Sequence, residues 1–282
     1  MGEEVKIVTE NHKATPRDYL ARVNDSTFPK WKAAELAKKY GFEYWDGDRR
    51  VNYGGYSYKT GYWTPVAISL IKRYRLTNSS KVLDIGCGAG AVTAYLANLF
   101  PKVKFSGIDK ESLLISIAKE KSAQIGLKNI YFDYGNIYNL PKKISIDGVI
   151  LTQTILLFKD YKKPMKNIFS KLKPKWVAIT GLFYDGEISL YATAHEYKKN
   201  RTVNLNTYSI NQFSTFCEKY GFRIALSQPF DMPIDIGKPE DPDFLGTYTE
   251  RIITKEGNIK RIQITGPLLQ NWKTIILENS NL

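Results

Sequence analysis

The chain has few of the residues from which disulfides and metal centres are built. It contains two cysteines, Cys87 and Cys217, and two histidines in 282 residues. Two cysteines supply neither a disulfide framework nor a metal-ligand pattern, so no metal is predicted and a reducing cytoplasm is the expected location. No apolar run approaches the length of a bilayer crossing, and residues 1–18 contain no apolar segment typical of secretory signals.

Internal repeats, low-complexity tracts and Pro/Ser-rich linkers are lacking as well. The length of 282 residues, of which 43% are hydrophobic, is sufficient to bury a full core. From residue 80 to 180, strand and helix patterns alternate, which indicates a parallel sheet in an α/β domain.

The most informative segment is an apolar run that ends in Asp84 and a glycine-rich turn. Gly86, Gly88 and Gly90 follow the acid. An amphipathic helix is predicted next, because apolar residues recur at helical spacing. These residues are Val92, Tyr95, Leu96 and Leu99. A strand, a glycine turn and a helix together let a ligand approach bare backbone, although the glycine spacing alone also occurs in plain strand–helix turns.

Three later segments add weight to this motif. A second strand, residues 105–109, ends in Asp109, where a carboxylate suits either ribose hydroxyls or the start of a helix. Residues 130–137 form a strand and a turn containing Asn136, followed by Leu140 and Pro141. Residues 146–154 form a further strand with Thr152, Gln153 and Thr154 after it.

In this order the four segments resemble the motifs of the class I S-adenosylmethionine-dependent methyltransferases. The resemblance implies S-adenosyl-L-methionine as cofactor, with S-adenosyl-L-homocysteine as product. Asn136 stands where the family usually has Asp, and its amide keeps one acceptor while adding a donor. Cys87 is interpreted as a small turn residue, and an ordinary turn role for Asn136 stays open. The implied cofactor-binding residues are Asp84, Gly86, Cys87, Gly88, Gly90, Asp109, Lys110, Asn136, Ile137, Thr152 and Gln153.

The resemblance also implies the architecture. We expect a Rossmann-like, doubly wound, seven-stranded and mostly parallel sheet whose last strand is antiparallel, within residues 64–282. Residues 1–63 are predicted to be a helical and aromatic cover, in which Tyr53, Tyr56 and Trp63 close the cofactor pocket or form a structural cluster. A β-hairpin insertion is predicted at about 240–266, from two alternating segments around Gly257.

The acceptor side is predicted in the loop after the fifth strand, residues 181–187, and in a helix-like segment with Tyr191, His195 and Glu196. The candidate catalytic residues are His195, Tyr184 and Glu187; His195 carries the ionisable group best suited to act as a base near neutral pH. Surface roles for all three remain open.

The net charge of +13 constrains the partner. Seven lysines between residues 159 and 175 alternate with an apolar stripe, so they are interpreted as the solvated face of a helix, with nucleic acid as a less favoured alternative. The two nucleic-acid methylase signatures, an Asn/Asp-Pro-Pro-aromatic tetrapeptide and a Pro-Cys nucleophile, are not found. The predicted function is methyl transfer to a small-molecule acceptor, sugar-linked, phosphorylated or otherwise anionic. The alternatives are an RNA or protein methyltransferase and a non-catalytic binding subunit.

Overall fold

The computed structural model describes residues 76–140, 145–230, 235–241 and 245–281, together with 26–29, 32 and 35. The chain divides into two compact units, Val5–Arg75 and Leu76–Leu282, the second of which includes Met1–Glu4. The predicted boundary at 63/64 and the predicted cover residues Tyr53, Tyr56 and Trp63 lie outside the described residues and stay predictions. Within the described ranges, no helix has the length and apolar character needed to cross a membrane.

The larger unit is built on one central sheet. The strands that enter it are β1 (Lys81–Ile85), β2 (Lys104–Asp109), β3 (Ile130–Tyr134), β4 (Gly148–Thr152), β5 (Trp176–Tyr184), β8 (Tyr208–Ser209), β9 (Phe222–Pro229) and β13 (Trp272–Asn279). Their order is β3-β2-β1-β4-β5-β13-β9, and the short β8 pairs with the end of β5. Neighbours from β3 to β5 are parallel, whereas β13 is antiparallel to β5 and β9. The predicted seven-stranded, mostly parallel sheet with an antiparallel last strand is confirmed.

Helices connect the strands and cover the sheet on both faces. They are α1 (Ala91–Leu99), α2 (Ser112–Gln124), α3 (Lys162–Asn167), which continues as a π-helical turn at Ile168–Leu172, and α4 (Ile210–Glu218). The strand register places Asp84 and Phe132 on one face, where Phe132 packs against Ile115 and Ala118 of α2. Leu83 points to the opposite face and joins the main core with α3 and α4. The sheet is therefore doubly wound, as predicted.

The sequence pattern placed the buried side of α3 correctly and that of α1 incorrectly. In α3 and the turn after it, Met165 and Ile168 are fully buried, while Lys162, Lys163 and Lys166 are exposed. In α1 the buried residues are Thr93 and Ala97, and Val92 of the predicted stripe is exposed. The predicted face is wrong because the polar Thr93 points inward, where it has a buried hydrogen-bond partner.

Two small sheets are inserted into this framework. The first is the hairpin β6 (Thr193–Glu196) and β7 (Arg201–Asn204), located between β5 and β8. This hairpin lies where a helix-like segment was predicted around His195, so that prediction is wrong. Burial alternates along β6 with a period of two residues, which is typical of a strand. The second sheet consists of β10 (Thr247–Ile253), β11 (Ile259–Thr265) and β12 (Leu268–Gln270). Its first two strands confirm the predicted hairpin, and β12 is an additional strand.

Candidate functional site

The glycine turn lies at the carboxyl ends of β1 and β2, which are parallel and therefore end at the same edge of the sheet. Gly86, Gly88 and Gly90 all have left-handed backbone conformations, with φ of 76°, 55° and 78°. The N–H groups of Gly86 and Cys87 donate to the carbonyl oxygen of Ile108 at 2.8 and 3.1 Å. The turn is thus held to the end of β2 through its backbone.

The three glycines have different surroundings. A Cβ atom on Gly86 would lie 2.5 Å from Thr154 Oγ1, and one on Gly90 would lie 2.5 Å from the ring of Phe132. A Cβ atom on Gly88 would meet nothing within 4 Å among the described residues. The turn is therefore packed from below at two positions and open at the middle one, as a backbone cradle for a ligand requires.

Asp84 lies beneath this cradle and is 2% exposed. Thr93 of α1 donates from Oγ1 to Asp84 Oδ2 at 2.6 Å, while Oδ1 is buried without a hydrogen-bond partner in the described structure. Burial raises the pKa of Asp84 to about 6, and the nearby Asp109 adds to this increase. The free oxygen suits a cationic ammonium group or its bridging water, such as the amino-acid end of S-adenosylmethionine would supply.

Asp109, at the end of β2, contacts both the turn and the following helix. Its Oδ2 accepts from the N–H of Gly88 at 2.9 Å, and its Oδ1 accepts from the N–H of Glu111 at 3.0 Å. The carboxylate therefore orients the start of α2 and the glycine turn, and each oxygen retains a lone pair for a ribose hydroxyl. The two roles that the sequence left open are compatible. Lys110, next in the chain, is exposed and lies 3.5 Å from Glu111.

The loop after β4 completes the edge next to the glycine turn. Gln153 has φ of 54°, an uncommon conformation for a residue with a Cβ, and donates from its N–H to the carbonyl of Thr180 at 2.8 Å. Thr154 Oγ1 lies 3.0 Å from the carbonyl oxygen of Thr152, beside Gly86. Strained non-glycine backbone of this kind concentrates at functional sites.

The remaining predicted cofactor residues have identifiable local roles. Asn136 Oδ1 accepts from the N–H of Tyr138 at 2.9 Å and begins the 3-10 turn Ile137–Asn139, so its amide NH2 points away from this cap. Ile137 is buried in the main core. Burial raises the pKa of Cys87 to about 12, and the neighbouring Asp84 and Asp109 add to this effect. A thiol with that pKa is a poor nucleophile, in agreement with the turn role predicted for Cys87.

The three candidate catalytic residues contact different partners in the described structure. Tyr184 is the last residue of β5 and is partly exposed. Glu187 accepts from the side-chain amides of Asn211 and Gln212 on α4 at 2.8 and 2.5 Å, contacts that lower its pKa. His195 lies in β6, with its ring against Tyr197.

The hairpin β6–β7 is fixed to the loop after β4. Asn206 donates from its N–H to the carbonyl of Leu156 at 3.0 Å and from Nδ2 to that of Phe158 at 2.7 Å. Asn204 donates from Nδ2 to the carbonyl of Leu157 at 3.2 Å. The side chain of Leu156 is buried in a small core that includes Leu205, so the attachment is both polar and apolar.

The same hairpin is also joined to the second insertion. The buried carboxylate of Glu196 accepts from Arg201 Nε through Oε2 and from the N–H of Leu245 through Oε1, the latter at 3.3 Å. The Glu196 side chain is 5% exposed, whereas that of Arg201 is 54% exposed. Glu196 therefore connects two segments that are distant in sequence.

We expect Glu196→Ala to lower the free energy of unfolding by about 2 kcal/mol. The loss is smaller than for a fully buried ion pair, because Arg201 can be rehydrated. Urea denaturation followed by circular dichroism measures the change. Glu196→Gln is the matched control. It should lose less than half of the free energy that Glu196→Ala loses, since the amide oxygen can still accept from Leu245. Equal losses in the two variants would contradict this assignment.

The strand order, the glycine cradle and the two acidic strand ends define a class I S-adenosylmethionine-dependent methyltransferase domain. The model of the family described as "Methyltransferase domain" matches residues 76–237, more than half of the chain. The chain therefore belongs to this methyltransferase family, whose cofactor is S-adenosylmethionine.

Individual relatives share the domain at low identity. The malonyl-[acyl-carrier protein] O-methyltransferase of Bacillus anthracis is 29% identical over 53% of this chain and 57% of its own length. The trans-aconitate 2-methyltransferase of Escherichia fergusonii is 28% identical over 39% of this chain and 42% of its own. The chain thus spans about half the length of these curated relatives.

A solved structure shows the same fold. The magnesium protoporphyrin IX methyltransferase of Synechocystis PCC 6803, crystallised with S-adenosylhomocysteine, superposes with a TM-score of 0.50 at 12% identity, over 94% of this chain and all of that one.

Sequence reasoning missed Thr93 and Asn206. Thr93 follows the glycine turn inside a helix, where a polar residue at an inward position is itself a signal. Asn206 is 2% exposed and lies in an irregular segment, for which no periodicity exists to assign burial.

Proposed function

We propose that this protein transfers the methyl group of S-adenosylmethionine to a small anionic acceptor, at an oxygen or nitrogen atom. The observation that carries the proposal is the attachment of the β6–β7 hairpin to the loop after β4. The loop to which the hairpin is attached begins with Gln153 and Thr154, and Thr154 adjoins Gly86, so a short segment joins the hairpin to the glycine turn. A hairpin held to the loop that adjoins the glycine turn favours a small acceptor over an extended polymer.

The bound cofactor supplies an electrophilic methyl group on a sulfonium. The acceptor's lone pair forms the new bond to the methyl carbon while the carbon–sulfur bond breaks, and that electron pair remains on sulfur. When the attacking atom is itself a deprotonated oxygen, such as that of a carboxylate, no proton is released, so the protein needs to orient the acceptor rather than deprotonate it. Such a reaction does not require Tyr184, Glu187 and His195, which contact different partners in the described structure, to act together.

Two further observations support an anionic acceptor. The two curated relatives carry a malonyl group and trans-aconitate in their names, and both are carboxylic acids. The chain itself has a net charge of +13, which attracts small anions toward its surface. The cytoplasm remains the expected location.

The cofactor site is tested first by isothermal titration with S-adenosylmethionine and S-adenosylhomocysteine. We expect micromolar binding by the wild type and a loss of at least about 30-fold in Asp109→Ala, because the variant loses a charged acceptor and the support of Gly88. Labelled S-adenosylmethionine can then be used to screen metabolite pools for the acceptor.

Asp133→Ala is the matched control for that experiment. Asp133 is an exposed carboxylate on the neighbouring strand β3, 3.9 Å from Lys119, and is not in contact with the glycine turn. Its removal should leave cofactor affinity within about twofold, as for a surface pair. A folded wild type that binds neither ligand would contradict the proposal and favour a binding subunit. Methyl incorporation into RNA rather than metabolites would favour the RNA alternative.

A further inference from the structure

We propose that one face of the β6–β7 hairpin is the acceptor-binding surface, and that it holds the acceptor's anionic oxygen group, a carboxylate or a phosphate. We call it the hairpin polar face; it consists of Thr193, His195, Thr202 and Asn204. The inference rests on the proposed function and identifies where the acceptor binds.

The strand register brings these four side chains together. In the antiparallel pairing, Thr193 lies opposite Asn204 and His195 opposite Thr202, so the two pairs are neighbours on one face. Thr193 Oγ1 lies 3.2 Å from Asn204 Oδ1. The alternate residues turn to the other face, where Ala194 packs in the small core and Glu196 is buried.

Asn204 links the hairpin polar face to the donor side of the site. Its Nδ2 donates to the carbonyl of Leu157 at 3.2 Å, in the turn that follows Thr154. Thr154 in turn lies directly beside Gly86 of the cradle. One continuous loop therefore connects the glycine cradle with this face, and the hydrogen bonds of Asn206 fix their separation.

His195 is positioned within the face by two contacts. Its Nδ1 lies 2.9 Å from Thr202 Oγ1, and its ring meets that of Tyr197 edge-on at 4.6 Å between centroids. When the Thr202 hydroxyl donates to Nδ1, the proton of the neutral imidazole resides on Nε2. In the described structure Nε2 has no partner, so its N–H is available to a ligand. Thr202 is therefore a positioning residue for His195.

The charges around the hairpin favour an anion on this face. The hairpin's one carboxylate, that of Glu196, is buried on the opposite face and is neutralised by Arg201. The hairpin polar face itself contains an imidazole, two hydroxyls and an amide, and it contains no acid. Donors without a competing carboxylate suit the oxygens of a carboxylate or a phosphate.

The chain's two histidines make the proposal directly testable by NMR. Protein labelled with 15N-histidine is saturated with S-adenosylhomocysteine and titrated separately with malonate, inorganic phosphate and neutral malonamide; His12→Gln assigns the signals. We expect at least one anion to shift the His195 resonances but not those of His12, and malonamide to have no effect. The affinities for malonate and for phosphate are then compared. Tighter binding of malonate indicates that the acceptor's oxygen group is a carboxylate, and tighter binding of phosphate indicates a phosphate.

Thr202→Val tests the positioning role. We expect the variant to bind the effective anion at least fivefold more weakly and to change the 15N shifts of His195 toward a tautomer mixture. Thr215→Val, on the exposed side of α4, removes a hydroxyl that bonds only the Asn211 carbonyl and should change neither. The inference would be overturned if the His195 signals respond to neither anion or respond equally to malonamide. It would also be overturned if Thr202→Val binds the effective anion as tightly as the wild type.

The outcome is separable from the proposed function. If wild-type protein fails to bind S-adenosylhomocysteine by titration calorimetry, the methyltransferase proposal itself fails. If it binds S-adenosylhomocysteine while His195 remains silent, only the assignment of the hairpin polar face is overturned.

Discussion

Gly90→Ala is expected to destabilise the protein by about 3 kcal/mol or more, enough to unfold much of a domain of ordinary stability. Two costs add at this position. The backbone has φ of 78°, which costs a residue with a Cβ about 1–2 kcal/mol. The new methyl group would lie 2.5 Å from the ring of Phe132 and 2.9 Å from Ala118 Cβ. Phe132, a residue of β3, is 2% exposed and packs against α2, so its ring cannot move without disturbing the core.

Gly88→Ala is the matched comparison, two residues away in the same turn. It carries a similar backbone penalty of about 1 kcal/mol, but its methyl group meets no atom of the described residues within 4 Å. We expect this variant to stay folded and to lose cofactor affinity by about tenfold or more, because the methyl group occupies the volume where a ligand would approach the backbone.

Thermal unfolding and titration with S-adenosylhomocysteine separate the two effects. The expected result is a large loss of melting temperature for Gly90→Ala with a small one for Gly88→Ala, and weakened binding by the latter at a temperature where it is folded. Equal stability of the two variants would show that the Phe132 contact does not restrict position 90. Normal ligand binding by Gly88→Ala would place the cofactor away from the turn.

Much of the fold could be predicted because its signals are local. An apolar strand followed by an acid and three glycines specifies a strand–turn–helix unit, and the left-handed conformations at Gly86, Gly88 and Gly90 show why glycine is favoured there. The β10–β11 hairpin lies within the predicted segment of about 240–266 for the same kind of reason, since Gly257 at φ of 80° forms its turn.

The acceptor side could not be predicted from local signals. Its geometry depends on long-range contacts, such as those of Asn206 with Phe158 and Glu196 with Leu245, which leave no periodic trace in the sequence. His195 was placed on a helix because the segment around it is short and polar, and in such segments the pairing partner decides between helix and strand. The inward face of α1 was missed for a related reason, since Thr93 is buried to satisfy Asp84 and not to fill an apolar core.

Asp84 should make the protein less stable as pH rises. Burial raises its pKa from 3.8 to about 6, so the folded state holds a proton that the unfolded chain releases. For a carboxyl group whose pKa is raised on folding, the stabilising contribution is complete below the unfolded value of 3.8. It is lost progressively as pH increases through 6 and is absent above that. A shift of this size corresponds to about 3 kcal/mol.

The measurement is a set of urea unfolding curves between pH 4 and pH 7.5 for the wild type and Asp84→Asn. The asparagine variant has no charge to bury at position 84. The difference in free energy of unfolding, variant minus wild type, should therefore increase by up to about 3 kcal/mol from pH 4 to pH 7.5, whatever its value at pH 4. Comparing the two proteins cancels the titration of the other groups. A constant difference between them at all pH values would show that Asp84 is not ionised at a cost in the folded protein.

Cofactor binding should reverse this cost. A cationic ammonium group near the unpartnered Oδ1 favours the ionised carboxylate, so affinity for S-adenosylmethionine is expected to increase as pH rises through 6 in the wild type. Asp84→Asn should bind more weakly and lack this increase. The buried carboxylate then has a physical explanation: its charge destabilises the empty fold and is compensated when the ligand brings the opposite charge. A pH-independent affinity in the wild type would instead indicate that Asp84 serves only to hold Thr93 and the first turn of α1.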